Sequence, residues 1–232
     1  MTGPVVFTLA GVLRGARKGA PILAGLVPFA IVTGVTSQGA GLTLAEATLM
    51  SAFVYAGASQ LVALAVWANP PPLLAVTFAA FVVNLRLALM GPVLSPWLDR
   101  LRGWQLWGSL FMMTDQSWAM SVAEMNKGGR DAGFLFGTGF SMWIMWVMGT
   151  AAGFLVGAQL RPPPGHPLFF AALAAFVAML AGMWRGRSDL LPWLVAAAVS
   201  VLTARLLPGT FWYIVVGALA GSITGALRDM RT

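Results

Sequence analysis

The chain has 232 residues, of which 59% are apolar and only 9% charged, with a mean hydropathy of +0.82. Soluble domains carry roughly 25% charged residues, so this composition sets aside a soluble fold and predicts an all-α, polytopic integral membrane bundle in a lipid bilayer. The net charge of +7 does not read as a nucleic-acid surface, because the bases sit in short clusters between apolar stretches, as loops beside a membrane do.

There is no cysteine, so disulfide, zinc-thiolate and thiol chemistry are excluded. The single His166 lies in the loop Arg161-Pro162-Pro163-Pro164-Gly165-His166-Pro167 without an acidic neighbour, and reads as a surface residue rather than a metal ligand. Strand-period alternation is missing, which sets aside an outer-membrane barrel. No phosphate-cradling Gly-Lys-Ser/Thr sequence is present. No nucleophile–base pair can be assembled from the polar residues inside the apolar segments. The expectation is therefore a protein that is not an enzyme and holds no cofactor or metal.

In chain order, residues 1–19 read as a cytoplasmic lead-in, with an interfacial helix over 5–18 as one reading. Gly11, Gly15 and Gly19 share a face there, and Arg14, Arg17 and Lys18 can meet head groups. These bases follow the first apolar run, so a cleaved signal peptide is not expected. A first span covers Ala20–Ser37, with Pro28 near its middle. Thr43 and Glu46 have capping-box spacing at the start of a second segment, Leu44–Trp67. Glu46 is thus either a cap or a group that handles a coupling ion.

The second segment is interrupted by Gly57-Ala58-Ser59-Gln60. A third, Leu73–Leu94, carries Asn84 and Arg86. The fourth, Gln105–Met125, centres on Thr114-Asp115-Gln116-Ser117, and four polar side chains in a row predict a break or a re-entrant turn. A fifth span, Gly133–Ala158, carries Gly149, Gly153 and Gly157. The eighth, Thr210–Leu227, carries Gly217, Gly221 and Gly225, and such spacing makes packing seams. Between these lie Leu168–Met183 and Leu190–Leu206. About seven to eight membrane segments result. With the N-terminus inside, nine bases fall inside (Arg14, Arg17, Lys18, Lys127, Arg130, Arg185, Arg187, Arg228, Arg231) and four outside (Arg100, Arg102, Arg161, Arg205), which predicts N-in and C-in.

Polar groups at mid-segment are costly in hydrocarbon and face protein or a wet cavity. Arg86 needs a partner, and Asp115 is the one acid at mid-segment. The two could form a buried pair that only fixes packing, or could line a polar cavity open to a substrate. The Gly57–Gln60 stretch could be a helix break whose freed amides bind a carboxylate, or a close packing site with Gln60 bonded across it.

Gly41-Leu42, Glu46, Met50-Ser51, Tyr55-Ala56-Gly57-Ala58-Ser59-Gln60, Asn84-Leu85-Arg86 with Met90-Gly91, and Thr114-Asp115 together resemble the AzlC family over roughly Gly11–Arg130. These are large subunits of bacterial two-component branched-chain amino-acid exporters. The resemblance implies a multi-pass protein of the bacterial inner membrane that exports branched-chain amino acids beside a small AzlD-like membrane subunit. The family pattern has a His after the Arg and a Glu after the Asp. Leu87 and Gln116 stand there in this chain, which bears on the coupling ion.

On that reading the substrate sits between segments two, three and four. Gly57, Ala58, Ser59, Gln60, Asn84, Arg86 and Asp115 are the candidate binding residues, and Phe53 and Phe81 the apolar walls. Glu46 and Asp115 are the candidates for coupling transport to an ion gradient. A channel or a scaffold subunit for another small solute is the alternative.

Overall fold

The structure, a computed structural model, describes residues 4–65, 67, 70, 73–160, 177, 181, 184, 186–208 and 212–229. Its helices are α1 (Leu9–Gly39), α2 (Leu44–Val54), α3 (Gly57–Ala65), α4 (Leu73–Met90), α5 (Ser95–Leu98), α6 (Trp104–Phe111), α7 (Asp115–Asn126), α8 (Gly133–Leu160), α9 (Arg187–Leu206) and α10 (Trp212–Asp229). A 3-10 turn, Gly91–Leu94, extends α4. The predicted all-helical class holds among the described residues, where the one extended contact is an isolated bridge between Val6 and Asp131.

The frame is the pair α1 and α8. Both are long and apolar enough to cross a bilayer, as is α9. Contacts climb together along α1 and α8: Gly11 meets Asp131, Gly19 meets Thr138 and Met142, Ala30 meets Gly149, and Gly34 meets Thr150 and Gly153. The two helices therefore run parallel. Small residues let their backbones approach closely. A Cβ on Gly137 would strike Val12, one on Gly153 the Ile31 carbonyl, and one on Gly157 would press on Val35. The four-residue glycine spacings are thus a seam, as the sequence predicts. The separate interfacial helix over 5–18 is corrected: α1 is one helix of 31 residues that runs through Pro21 and Pro28. Thr8 caps it, and Asp131 ties that cap to the start of α8, accepting from the Thr8 amide at 3.0 Å, from the Thr8 hydroxyl, and from the Gly133 amide at 3.1 Å.

Two of the predicted segments are hairpins: Leu44–Trp67, which reads as an interrupted span, and Gln105–Met125, where the sequence predicts a break or a re-entrant turn. α2 descends along α8 from the face carrying the turn 40–43, since Ser51 bonds Thr150 and Tyr55 bonds the Gly139 carbonyl. α3 then turns back, so that Ala63 and Trp67 lie in one groove with Leu42 and Glu46. α2 and α3 thus enter and leave on the same face, here the second face. α6 starts on the first face, where Trp104 stacks edge-on against Phe7 at 5.3 Å, and rises until Met112 meets Gly139. α7 returns, from Thr114 beside Met142 to Glu124, which pairs with Lys18 at 2.9 Å.

α4 joins the two hairpins. It begins beside the second-face groove at Val76 and Ala80, and it ends on the first face, where Leu94, Trp97, Leu98 and Leu101 pack on Phe134 and Leu135. A long helix followed by a hairpin dipping from the far face therefore occurs twice, in opposite orientation. The α9–α10 pair packs through Gly217 and Gly221 against Ser200, Ala196 and Pro192, and Trp212 meets Phe78 of α4 at 6.0 Å. The sixth predicted span, Leu168–Met183, and the loop with Arg161 and His166 lie outside the described residues, apart from Val177 and Ala181, which are helical.

The seam gives a direct test. Gly153→Val should destabilise the protein by about 1–3 kcal/mol through overpacking. Gly25→Ala, where a Cβ meets nothing within 4 Å, should be neutral or stabilise by roughly 0.5–1 kcal/mol. Thermal unfolding in one detergent, followed for both variants, checks the contrast.

Candidate functional site

The second-face hairpin breaks because Tyr55 takes a left-handed conformation, φ 45° and ψ 42°, directly after α2. Among the described residues it is the one non-glycine with positive φ. Such a conformation costs about 1–3 kcal/mol and needs its surroundings to hold it. Here the buried Tyr55 hydroxyl donates to the Gly139 carbonyl at 2.9 Å, and Tyr55 borders the same space as Thr114 at the tip of the other hairpin. Gly57 opens α3 where a Cβ would lie 2.6 Å from both Phe29 and Trp146. The Gln60 amide, bonded to the Ala56 carbonyl at 2.9 Å, begins the helical ladder. The amides of Gly57, Ala58 and Ser59 precede it and are the orphan donors of the helix start.

The first-face hairpin breaks at Met112–Thr114. Thr114 caps α7 in a reciprocal pair with Ser117: the Thr114 amide donates to Ser117 Oγ at 2.8 Å, and the Ser117 amide donates to Thr114 Oγ1 at 3.3 Å. Asp115 and Gln116 form the first turn.

The two tips meet at mid-depth around a cavity of about 70 Å³. Gly57 and Ala58 line it from α3, Asn84 from α4, and Asp115 from α7. Four predicted site residues thus converge on one space, from three segments far apart in sequence. Asn84 Oδ1 is buried there without a hydrogen-bond partner among the described residues. Arg86 lies on α4 between Asn84 and Leu87, both of which line the cavity, but its side chain is outside the described residues.

The other candidates lie elsewhere. Gln60 is fully buried; its Nε2 donates to Ser51 Oγ at 2.8 Å, and its Oε1 accepts from Trp146 Nε1 at 2.9 Å. Ser51 in turn donates to Thr150 Oγ1 at 2.9 Å, so this polar chain fastens the hairpin to α8. Ser59 faces the second-face groove, and its buried Oγ has no partner among the described residues. Glu46 closes the capping box with Thr43 at the exposed start of α2, its Oε2 accepting from the Thr43 amide at 2.7 Å.

The apolar walls are corrected. Phe53 and Phe81 are 73% and 60% exposed and point away from the cavity. Leu26 and Phe29 of α1, Met113, and Met142 and Trp146 of α8 line it instead. A signal for α8 was Trp146 itself, since tryptophan in the middle of a span is away from its usual interfacial position.

Electrostatically, the cavity sits between two half-helix starts. Each helix N-terminus carries partial positive charge and free amides, and α3 and α7 bring theirs from opposite faces. Asp115 supplies a carboxylate at the same point. Such a site is suited to a group carrying both charges. Its volume is far below the roughly 300 Å³ of an ordinary small-molecule pocket. It holds a few waters' worth of space.

Parallel long helices that hold two oppositely inserted hairpins tip to tip define a multi-pass membrane protein with discontinuous helices at its centre. The comparisons agree with that class. The AzlC protein family model matches residues 21–160, and the chain belongs to that family. It is 29% identical over 228 residues, 94% of this chain and 89% of the other, to an inner membrane protein of Escherichia coli, YgaZ. It is 31% identical over 216 residues, 90% of this chain and 92% of the other, to an uncharacterized membrane protein of Archaeoglobus fulgidus. No solved structure matches. The chain is a membrane protein, as these relatives are named, and its apolar helices fit that location.

The polar chain on α8 separates structural from binding groups. Gln60→Leu leaves Ser51 and Trp146 buried with fewer partners and should cost about 1–3 kcal/mol for each group left unsatisfied. Ser59→Ala removes a hydroxyl that lacks a partner and should leave stability unchanged or raised. Unfolding midpoints of the purified variants compare the two.

Proposed function

We propose that this chain is the transport subunit of a secondary exporter of branched-chain amino acids, driven by an ion gradient and working with a small AzlD-type membrane subunit. The observation that carries the reading is the meeting of two half-helix N-termini and Asp115 around one cavity with apolar walls. An amino acid presents a carboxylate, an ammonium and a side chain. The carboxylate would meet the amides at Gly57 and Ala58 together with Arg86. The ammonium would meet Asp115, and the side chain would lie against Leu26, Phe29, Met142 and Trp146. Discontinuous helices at the bilayer midplane serve transporters in this way. The narrowness of the cavity, about 70 Å³, favours alternating access over an open channel.

Sidedness follows from the charges. Arg14, Arg17, Lys18, Arg100, Arg102, Lys127 and Arg130 belong to the first face, while no Lys or Arg occurs between Lys18 and Arg86, the stretch that contains both second-face turns. By the positive-inside rule the first face is cytoplasmic. This keeps the N-terminus inside and moves Arg100 and Arg102 to the inside set. The C-terminus is inside on the same rule, through Arg228 and Arg231. Asp115, which lines the cavity, is the candidate for coupling transport to the ion gradient. Glu46 lies away from the cavity, and the geometry gives it a capping role.

Inverted vesicles containing this chain and an AzlD-like partner should take up labelled leucine saturably and only with a pH gradient. Arg86→Ala and Asp115→Asn should each abolish that uptake at unchanged protein levels. Undiminished uptake by Arg86→Ala removes the carboxylate role from Arg86. No leucine uptake with both proteins folded removes the substrate.

A further inference from the structure

A second space adjoins the central cavity. It is a groove of about 490 Å³ between the second-face hairpin and α4, lined in part by Leu42, Glu46, Ser59, Ala63, Val76 and Ala80. Glu46 stands at its mouth on the second face and is exposed; Ser59 lies at its depth and is 0% exposed. The groove is larger than the central cavity and large enough for an amino acid, by the ordinary range of small-molecule pockets.

Two features join the spaces. Val76 and Ala80 of α4 line the groove, while Asn84 and Leu87 line the cavity. Spacings of four, four and three put all four on one face of the helix. The chain between the spaces is a single turn: Val54 and Ser59 border the groove, and Tyr55, Ala56, Gly57 and Ala58 border the cavity. Along this face lie two buried hydrogen-bonding atoms without partners among the described residues, Ser59 Oγ in the groove and Asn84 Oδ1 in the cavity. Buried polar atoms are nearly always satisfied, and a lipid tail would satisfy neither. Neither atom is open to solvent in this conformation, and movement of the Tyr55–Ala58 turn would open each to a polar solute passing along α4.

We infer that this groove is the outward release path of the transporter, with Ser59 as a hydrogen-bonding station and the Tyr55–Ala58 turn as the barrier between it and the central cavity. The inference rests on the export reading above for its cargo, a zwitterionic amino acid with an apolar side chain. The apolar lining suits that side chain, and the carboxylate of Glu46 at the mouth draws the ammonium outward.

The chain has no cysteine, so single-cysteine variants report without background. Ala80→Cys and Val76→Cys probe the groove. Phe81→Cys, on the neighbouring exposed face of α4, is the control. A charged, membrane-impermeant methanethiosulfonate is added to spheroplasts and, separately, to inverted vesicles. The groove positions should be modified fully from the spheroplast side and remain unmodified in inverted vesicles. Phe81→Cys should resist the charged reagent from either side and react only with a membrane-permeant maleimide. If Ala80→Cys and Val76→Cys behave like Phe81→Cys, the groove is filled by lipid and the release path is overturned. Leucine, valine or isoleucine should slow labelling in the groove. Labelling from outside that none of these amino acids slows overturns the cargo and leaves the aqueous path standing.

Discussion

A bilayer supplies no hydrogen bonds, so every backbone group at membrane depth must find its partner within the protein. That constraint governs this structure. Two helices are broken at mid-depth, and each break must be covered on all sides. The cover is the parallel pair α1 and α8. Their glycine seam holds them close enough for side chains such as Phe29, Met142 and Trp146 to wall the site from two directions. The breaks also cover one another, since Tyr55 and Thr114 line the same cavity.

The two hairpins are held differently. The second-face hairpin is joined to α8 by buried bonds: Gln60 to Trp146, Ser51 to Thr150, Tyr55 to the Gly139 carbonyl, and Trp143 to the Ala52 carbonyl at 2.9 Å. The first-face hairpin carries its charged ties at an exposed rim, where Glu124 meets Lys18 at 2.9 Å and Arg14 at 3.6 Å. Exposed ion pairs contribute only about 0–1 kcal/mol each. The buried set is therefore the firmer attachment. Within the second-face hairpin, the Tyr55 turn is the point where the chain departs from regular backbone.

Much of this was legible in the sequence, and the reason differs by residue. The Thr43–Glu46 cap was readable because capping is local, set by spacing over one turn. The four-residue glycine repeats announced a seam for the same reason. The clustering of Gly57, Ala58, Asn84 and Asp115 was readable because a bilayer makes polar groups at mid-segment costly, so they are driven together. What hydropathy cannot separate is one span from two half-helices. Leu44–Trp67 and Gln105–Met125 have the length of single crossings; their polar centres predict an interruption, and only contacts between distant residues reveal that each returns to its own face. The roles of Gln60, Phe53 and Phe81 were hidden likewise, since the rotation of a short half-helix depends on what it packs against. The walls from α1 and α8 are contributed across more than a hundred residues of sequence, beyond any local pattern.

The buried bonds of Gln60 have a consequence for biosynthesis. Its partner Trp146 lies 86 residues further on, and Thr150 lies 99 residues beyond Ser51. At translation rates of roughly 5–20 residues per second, α8 leaves the ribosome about 5–20 seconds after the hairpin does. Through that interval a glutamine amide, a serine hydroxyl and a broken helix wait without their final partners. The hairpin must therefore reach its final depth late, after α8 has been inserted, or be sheltered until then by the machinery that inserts it. The residues that anchor the mature site thus also set the order in which the protein is assembled.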